Sequence, residues 1–175
     1  MRFLKAVGLT LLLGTSAPAV VADELDFTPG FYLVTVAGET MIDYGSGVEL
    51  GGNGYSIGGG YDINRYLALE AEYNNYFDYT VNSDNYSVSG LSVRGLMRYP
   101  LGSWAPFVGY TSASAEESLT VGGTTYSGAG TLSGVSVGFE VALTEALAFR
   151  FISDQLETDT AVEATITKIG IVSRF

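Results

Sequence analysis

Leu91, Val93, Met97 and Tyr99 alternate with Gly90, Ser92, Arg94 and Arg98. The same two-residue period sets Val135, Val137, Phe139, Val141 and Leu143 against Gly134, Ser136, Gly138, Glu140 and Ala142. It returns as Leu147, Phe149 and Phe151 against Ala148, Arg150 and Asp154, and as Ile169, Ile171 and Phe175 against Lys168, Gly170 and Arg174. Strict alternation predicts strands whose two faces meet different surroundings. Short turns are predicted at Ile63–Tyr66, Pro100–Ser103 and Leu143–Ala146, and long polar loops near Asp43–Asn53, Phe77–Ser87, Ala113–Gly130 and Gln155–Ala161. Three short turns alternating with four long loops join eight strands in an up-and-down order, with all long loops at one end.

The decisive matter is which face looks inward. One face of each strand carries Val, Leu, Ile and Phe; the other mixes glycine, serine and charge. Apolar rows turned inward would crowd a small barrel with bulky side chains and coat its outside with glycine. The reverse assignment gives a lipid-facing belt around a tight polar interior, in a closed sheet with no free backbone edge for a bilayer to penalise. The predicted fold is therefore an all-β, eight-stranded antiparallel transmembrane barrel. Its interior is expected to hold Glu39, Glu70, Glu72 and Glu140 against Arg94, Arg98, Arg150 and Lys168, because a buried charge without a partner is very costly. The Phe107/Gly109/Thr111 and Val108/Tyr110/Ser112 rows compete for the lipid face in the fifth strand. Tyr61, Tyr66, Tyr99, Trp104 and Phe175 near the short turns, and Tyr73, Tyr76, Phe77 and Tyr79 near the loops, suggest two interfacial girdles.

Composition narrows the chemistry. The 175 residues include 23 glycines and 12 tyrosines, no cysteine and no histidine, and carry a net charge of −11. Disulfides, thiolate catalysis and histidine-based acid–base or metal chemistry are excluded. An acidic chain whose loops lack lysine and arginine offers nothing to nucleic acid or heparin-like sugars. Asp43, Glu49, Asp78, Asp84, Glu116, Glu117, Glu157 and Asp159 instead form a solvated acidic surface with at most weak attraction for divalent cations. No cofactor, metal or catalytic residue is assigned; Ser153 beside Asp154 reads as a strand boundary.

The first residues differ from the rest. Met1–Lys5 is basic, Ala6–Gly14 is mostly apolar, and Ser16–Ala22 ends in small residues. This is the layout of a secretory signal peptide over 1–22, too short in its apolar run for a spanning helix. Cleavage after Ala22 removes Arg2 and Lys5, carries the charge from −11 to −13, and leaves 23–175 as one barrel domain.

Gly60–Glu70, Ala105–Tyr110 and the closing segment resemble small bacterial outer-membrane barrels of the OmpA/OmpX and opacity type. Lys168, Gly170 and Phe175 match the C-terminal signal by which the barrel-assembly machinery recognises such chains, with Ser173 departing from it. The resemblance implies a monomer in outer-membrane lipid, inserted by that machinery, with loops outside the cell available to a ligand. The expected role is non-enzymatic, in envelope integrity or surface contact, with a plugged interior. A narrow porin-like channel for small solutes or ions is the alternative. A surface enzyme and a soluble ligand-binding barrel remain open but less supported.

Overall fold

The computed structural model describes residue 25 and residues 27–44, 49–81, 84–158 and 162–175; the predicted signal peptide lies outside the described residues. Eight strands follow one another: β1 (Gly30–Asp43), β2 (Glu49–Asn64), β3 (Leu67–Val81), β4 (Asp84–Arg98), β5 (Trp104–Val121), β6 (Thr124–Ala142), β7 (Leu147–Glu157) and β8 (Glu163–Arg174). Each pairs antiparallel with its sequence neighbour, and β1 pairs with β8, so the sheet closes into a barrel. The turn of Ile63–Tyr66 is fixed by Asn64, whose side-chain oxygen accepts from the N–H groups of Tyr66 and Leu67. Thr144 does the same for Ala146 and Leu147.

The faces divide as the alternation requires of a membrane barrel. In β4, Leu91, Val93 and Met97 are 58–64% exposed, whereas Ser92, Arg94 and Leu96 are at most 5% exposed. In β5 the ambiguity resolves in favour of Val108, Tyr110 and Ser112 outside, with Phe107 and Thr111 inside. Phe31, Tyr61, Tyr66, Tyr99, Trp104 and Phe175 are exposed around the short-turn end, and Phe31 packs edge-on against Tyr61.

Four expectations change. Glu39 does not point into the barrel: it is exposed on the outer face of β1, beside Asn53 of β2 and Thr167 of β8, while Thr167 pairs with Ser153 of β7. These outward polar residues form the upper border of the apolar belt, where a carboxylate reaches water. Tyr76 and Phe77 do not join a girdle either. Tyr76 keeps the inward phase of Glu72 and Asn74, and a bulge between Asn75 and Phe77 adds one residue to β3 and turns Phe77 inward beside it.

The long polar loops are largely strand. β5 and β6 run unbroken to a two-residue turn, Gly122–Gly123, with φ of +56° and +85°. Positive φ at both central positions is the I′ geometry, which matches strand twist and favours glycine. Thr, Ser, Tyr and Val keep the extended backbone once a neighbour is present, although neither face is apolar. Finally, the interior is not only small and charged. Ile42, Tyr76, Phe77, Val88, Leu132, Leu156 and Ile166 form a buried apolar cluster toward the loop end.

Candidate functional site

The lumen gathers the charged residues, and each reaches it because it occupies the inward row of its strand. Five acids (Asp62, Glu70, Glu72, Glu140, Asp154) meet five bases (Arg94, Arg98, Arg150, Lys168, Arg174), all buried. Arg94 of β4 is the hub. Its Nη1 donates to Glu70 Oε2 at 3.0 Å and to Glu72 Oε1, and its Nη2 to Asp154 Oδ2 at 3.0 Å across the barrel. Its Nε donates to Thr111 Oγ1 at 2.8 Å and Ser136 Oγ at 3.2 Å. One guanidinium therefore ties together β3, β4, β5, β6 and β7.

Below the hub, Arg150 bridges Glu70 and Glu140, with Nη1 2.6 Å from Glu70 Oε1. Tyr32 donates its hydroxyl to the same Glu70 oxygen at 2.6 Å. Arg174 spans Glu140 at 2.6 Å and Asp62 at 3.2 Å, and Arg98 takes the other Asp62 oxygen. Toward the loop end, Lys168 Nζ donates to Ser56 Oγ at 2.6 Å and Asn74 Oδ1 at 2.9 Å, with Glu72 at 3.9 Å. Charge-assisted bonds of this kind are the strong ones, and equal numbers of each sign leave no net buried charge.

Apolar matter brackets the network. Phe27, from the segment preceding β1, is buried beneath it, with the Arg98 and Arg174 guanidinium carbons each 4.6 Å from its ring centre. Leu25 N–H reaches the Gly102 carbonyl at 3.5 Å in the same segment. Phe107 and Tyr32 lie under Arg150 at 5.4 and 5.9 Å. Above the network sits the Phe77 cluster. Among the described residues, Glu72 Oε2, Arg98 Nε and Nη2, and Arg174 Nη1 are buried without a hydrogen-bond partner, while Arg150 Nη1 is held by its ion pair with Glu70.

The structure thus brings Glu70, Glu72, Arg94, Arg98, Glu140, Arg150 and Lys168 together and leaves Glu39 out. Asp62, Asp154 and Arg174 complete the set. Their signal was present, since Asp154 alternates in phase with Arg150, and Arg174 with Lys168. Nothing in the sequence marked Phe27. Ser153 and Asp154 occupy opposite faces: Asp154 holds Arg94, while Ser153 lies 3.5 Å from Thr167 outside. They form no catalytic pair. Among the described residues no group of His, Cys, Asp or Glu is disposed to hold a metal ion. Of the C-terminal signal, Lys168 faces in, Phe175 is 81% exposed at the short-turn rim, and a Cβ on Gly170 would strike the β1 backbone.

At the loop end, Tyr44 donates to Glu117 Oε1 at 2.7 Å and lies 3.0 Å from the Tyr86 hydroxyl. Burial, aided by these two partners, pushes the Tyr44 phenol well above its ordinary range, so it remains a proton donor. Both rings border a cleft of about 210 Å³ or the cluster beneath it; the cleft is lined by Tyr44, Glu117, Gly128, Gly130 and Leu132 among others.

The sequence matches the model of the outer membrane protein beta-barrel domain over residues 7–175. A search of the curated proteins returned no match. Among solved structures, Neisserial surface protein A superposes with a TM-score of 0.74 at 18% identity, covering 83% of this chain and 97% of that one. Ail, the attachment invasion locus protein of Yersinia pestis, crystallised with the heparin analogue sucrose octasulfate, gives 0.64 at 12% identity over 85% and 100% of the two chains. The N-terminal beta-barrel domain of Pseudomonas aeruginosa OprF gives 0.60 at 12% identity over the same shares. At such identities the likeness is one of fold. With a closed barrel, an apolar exterior and a family match reaching from residue 7 to the last, the chain belongs to the outer membrane protein β-barrel family and resides in the bacterial outer membrane, embedded in its lipid.

Proposed function

We propose that this barrel is a non-enzymatic scaffold with a closed lumen, which contributes to envelope integrity and presents an acidic surface outside the cell for contact with other molecules. The observation that carries the reading is the ten-charge network crossing the lumen between two apolar clusters. Moving an ion through it requires separating buried charges, which is expensive. Short turns on the periplasmic side and longer hairpins outside follow the usual disposition of such barrels. The chain is expected to be exported with loss of residues 1–22, to insert through recognition of its last strand by the assembly machinery, and to remain a monomer.

Ail was crystallised with a polysulfated sugar analogue. The long polar stretches of this chain contain no lysine or arginine, so its outer surface selects cations and not sulfates. The purified barrel in planar bilayers tests the closed lumen: an electrically silent membrane is expected. Discrete, voltage-stable openings would move the reading to a narrow channel, for which the unpartnered atoms of Glu72, Arg98 and Arg174 provide places where water could enter.

A further inference from the structure

The wall of this barrel is uneven. β5 and β6 run 18 and 19 residues, but β7 and β8 only 11 and 12. β7 meets β6 only along Ser133–Ala142, whereas β5 pairs with β6 up to the turn. Among the described residues, no strand lies on the β7 side of Thr124–Leu132. The register identifies which groups are left. A two-residue I′ turn closes on a pair that exchanges both hydrogen bonds, here Val121 and Thr124, and the pattern alternates from there. Tyr126, Gly128, Gly130 and Leu132 therefore bond to β5. Thr125, Ser127, Ala129 and Thr131 aim their N–H and C=O groups away from β5, to the side where no strand of the described residues lies, with Thr158 and Val162 bordering the same cleft as Ala129.

Exposed strand edges are ordinarily protected by charge, proline or a bulge. This one has none of them: from Ser118 to Phe139 there is neither a charged residue nor a proline, and β5–β6 pairing is continuous. Its neighbours on β5 are charged. Glu117 is the register partner of Gly128 and faces the mouth cleft beside Tyr44; Glu116 is the partner of Ala129 on the outer face. A strand added to β6 would lie two strand widths from β5. With only a hydrogen or a methyl at Gly128 and Ala129, long side chains from that strand can cross β6 to reach both carboxylates.

The geometry points to Thr125–Thr131 as a docking edge for an extended cationic polypeptide, which adds a strand to β6 and lays lysine or arginine side chains over Gly128 and Ala129 onto Glu117 and Glu116. A second copy of this chain fits poorly. In one membrane a two-fold axis along the bilayer normal would cross two tilted β6 edges instead of aligning them, and two acidic surfaces repel. This inference rests on the surface-contact reading and adds the partner class and the site. Strand addition takes affinity from main-chain bonds and specificity from alternate side chains.

The test uses the full mature chain in lipid nanodiscs and a synthetic peptide of alternating lysine and threonine, long enough to span Thr125–Thr131, with the glutamate-for-lysine peptide alongside. Before addition, amide exchange should be fast at Thr125, Ser127, Ala129 and Thr131 and slower at Tyr126, Gly128 and Gly130. The lysine peptide should slow the first set specifically, bind more weakly as salt is raised, and outbind the glutamate peptide. Ala129→Pro removes an edge donor without touching a β5–β6 bond and should weaken binding about tenfold, the loss of one main-chain bond and its alignment. Glu117→Gln should weaken it severalfold. Heat-modifiable gel migration verifies that each variant is folded, and the exchange pattern of the unaltered chain stands independently of both. Equal binding of the two peptides, protection elsewhere on the rim, or indifference to Ala129→Pro overturns the proposal. Conductance reads the lumen and these experiments read the edge, so either can fail alone.

Discussion

Arg94 and Tyr126 sit on the inward rows of their strands, and their surroundings have nothing in common. Around Arg94 the sheet is closed, one face meets lipid and the other a packed lumen, and the ten inward charges are drawn into a shared network. Around Tyr126 the same sheet has left the barrel, both faces of β6 are exposed and, among the described residues, one edge has no strand beside it. The lower wall is held by burial, charge pairing and lipid; the upper hairpin by its ladder to β5 and a glycine turn. Structural substitutions should therefore be felt strongly below and weakly above, while recognition should behave in the opposite way.

The largest effect is expected from Arg94→Ala. It leaves Glu70, Glu72 and Asp154 buried without their common partner, and should cost about 3–5 kcal/mol in reversible urea unfolding from micelles or bilayers. A loss below about 1 kcal/mol would mean that the network is hydrated and loosely held. Next is a charge on the lipid face: Val93→Arg should cost about 2–4 kcal/mol, against within about 0.5 kcal/mol for Tyr126→Arg on the hairpin. Equal costs would erase the contrast between the two regions. Smaller still is Phe27→Leu, which keeps an apolar plug but removes the ring facing Arg98 and Arg174; about 1 kcal/mol is expected from the lost cation–π contacts. The smallest is Glu39→Gln, at the border of the belt, which should leave the unfolding midpoint unchanged within about 0.5 kcal/mol. A large loss there would return Glu39 to the lumen.

The same contrast explains what could be read from the sequence. Where the two faces of a strand meet different media, alternation is written into the residues, and Glu70, Glu72, Arg94, Arg98, Glu140, Arg150 and Lys168 could be placed inside from parity alone. β1 defeats that reading because both of its rows are apolar: Tyr32, Val34 and Val36 on one side, Phe31, Leu33 and Ala37 on the other. Parity there is set by register with β2 and β8, and Glu39 follows it outward. Phe77 escaped because a bulge resets the count by one residue, which only pairing with β4 reveals. The β5–β6 hairpin escaped because water on both sides leaves no hydrophobic period, though Gly122–Gly123 between β-branched residues was a turn signal in plain view. Phe27 lay before the first strand, where no periodicity exists to consult.

The central claim is the inversion of faces, and β4 tests it most directly, because Leu96 is apolar yet inward while Val93 is apolar and outward. The chain has no cysteine, so single replacements at Leu91, Ser92, Val93, Leu96 and Met97 can each carry one spin label. In bilayers, labels at 91, 93 and 97 should collide freely with dissolved oxygen, and those at 92 and 96 should be shielded from both oxygen and an aqueous quencher. Oxygen access at 96 together with shielding at 93 would contradict the account.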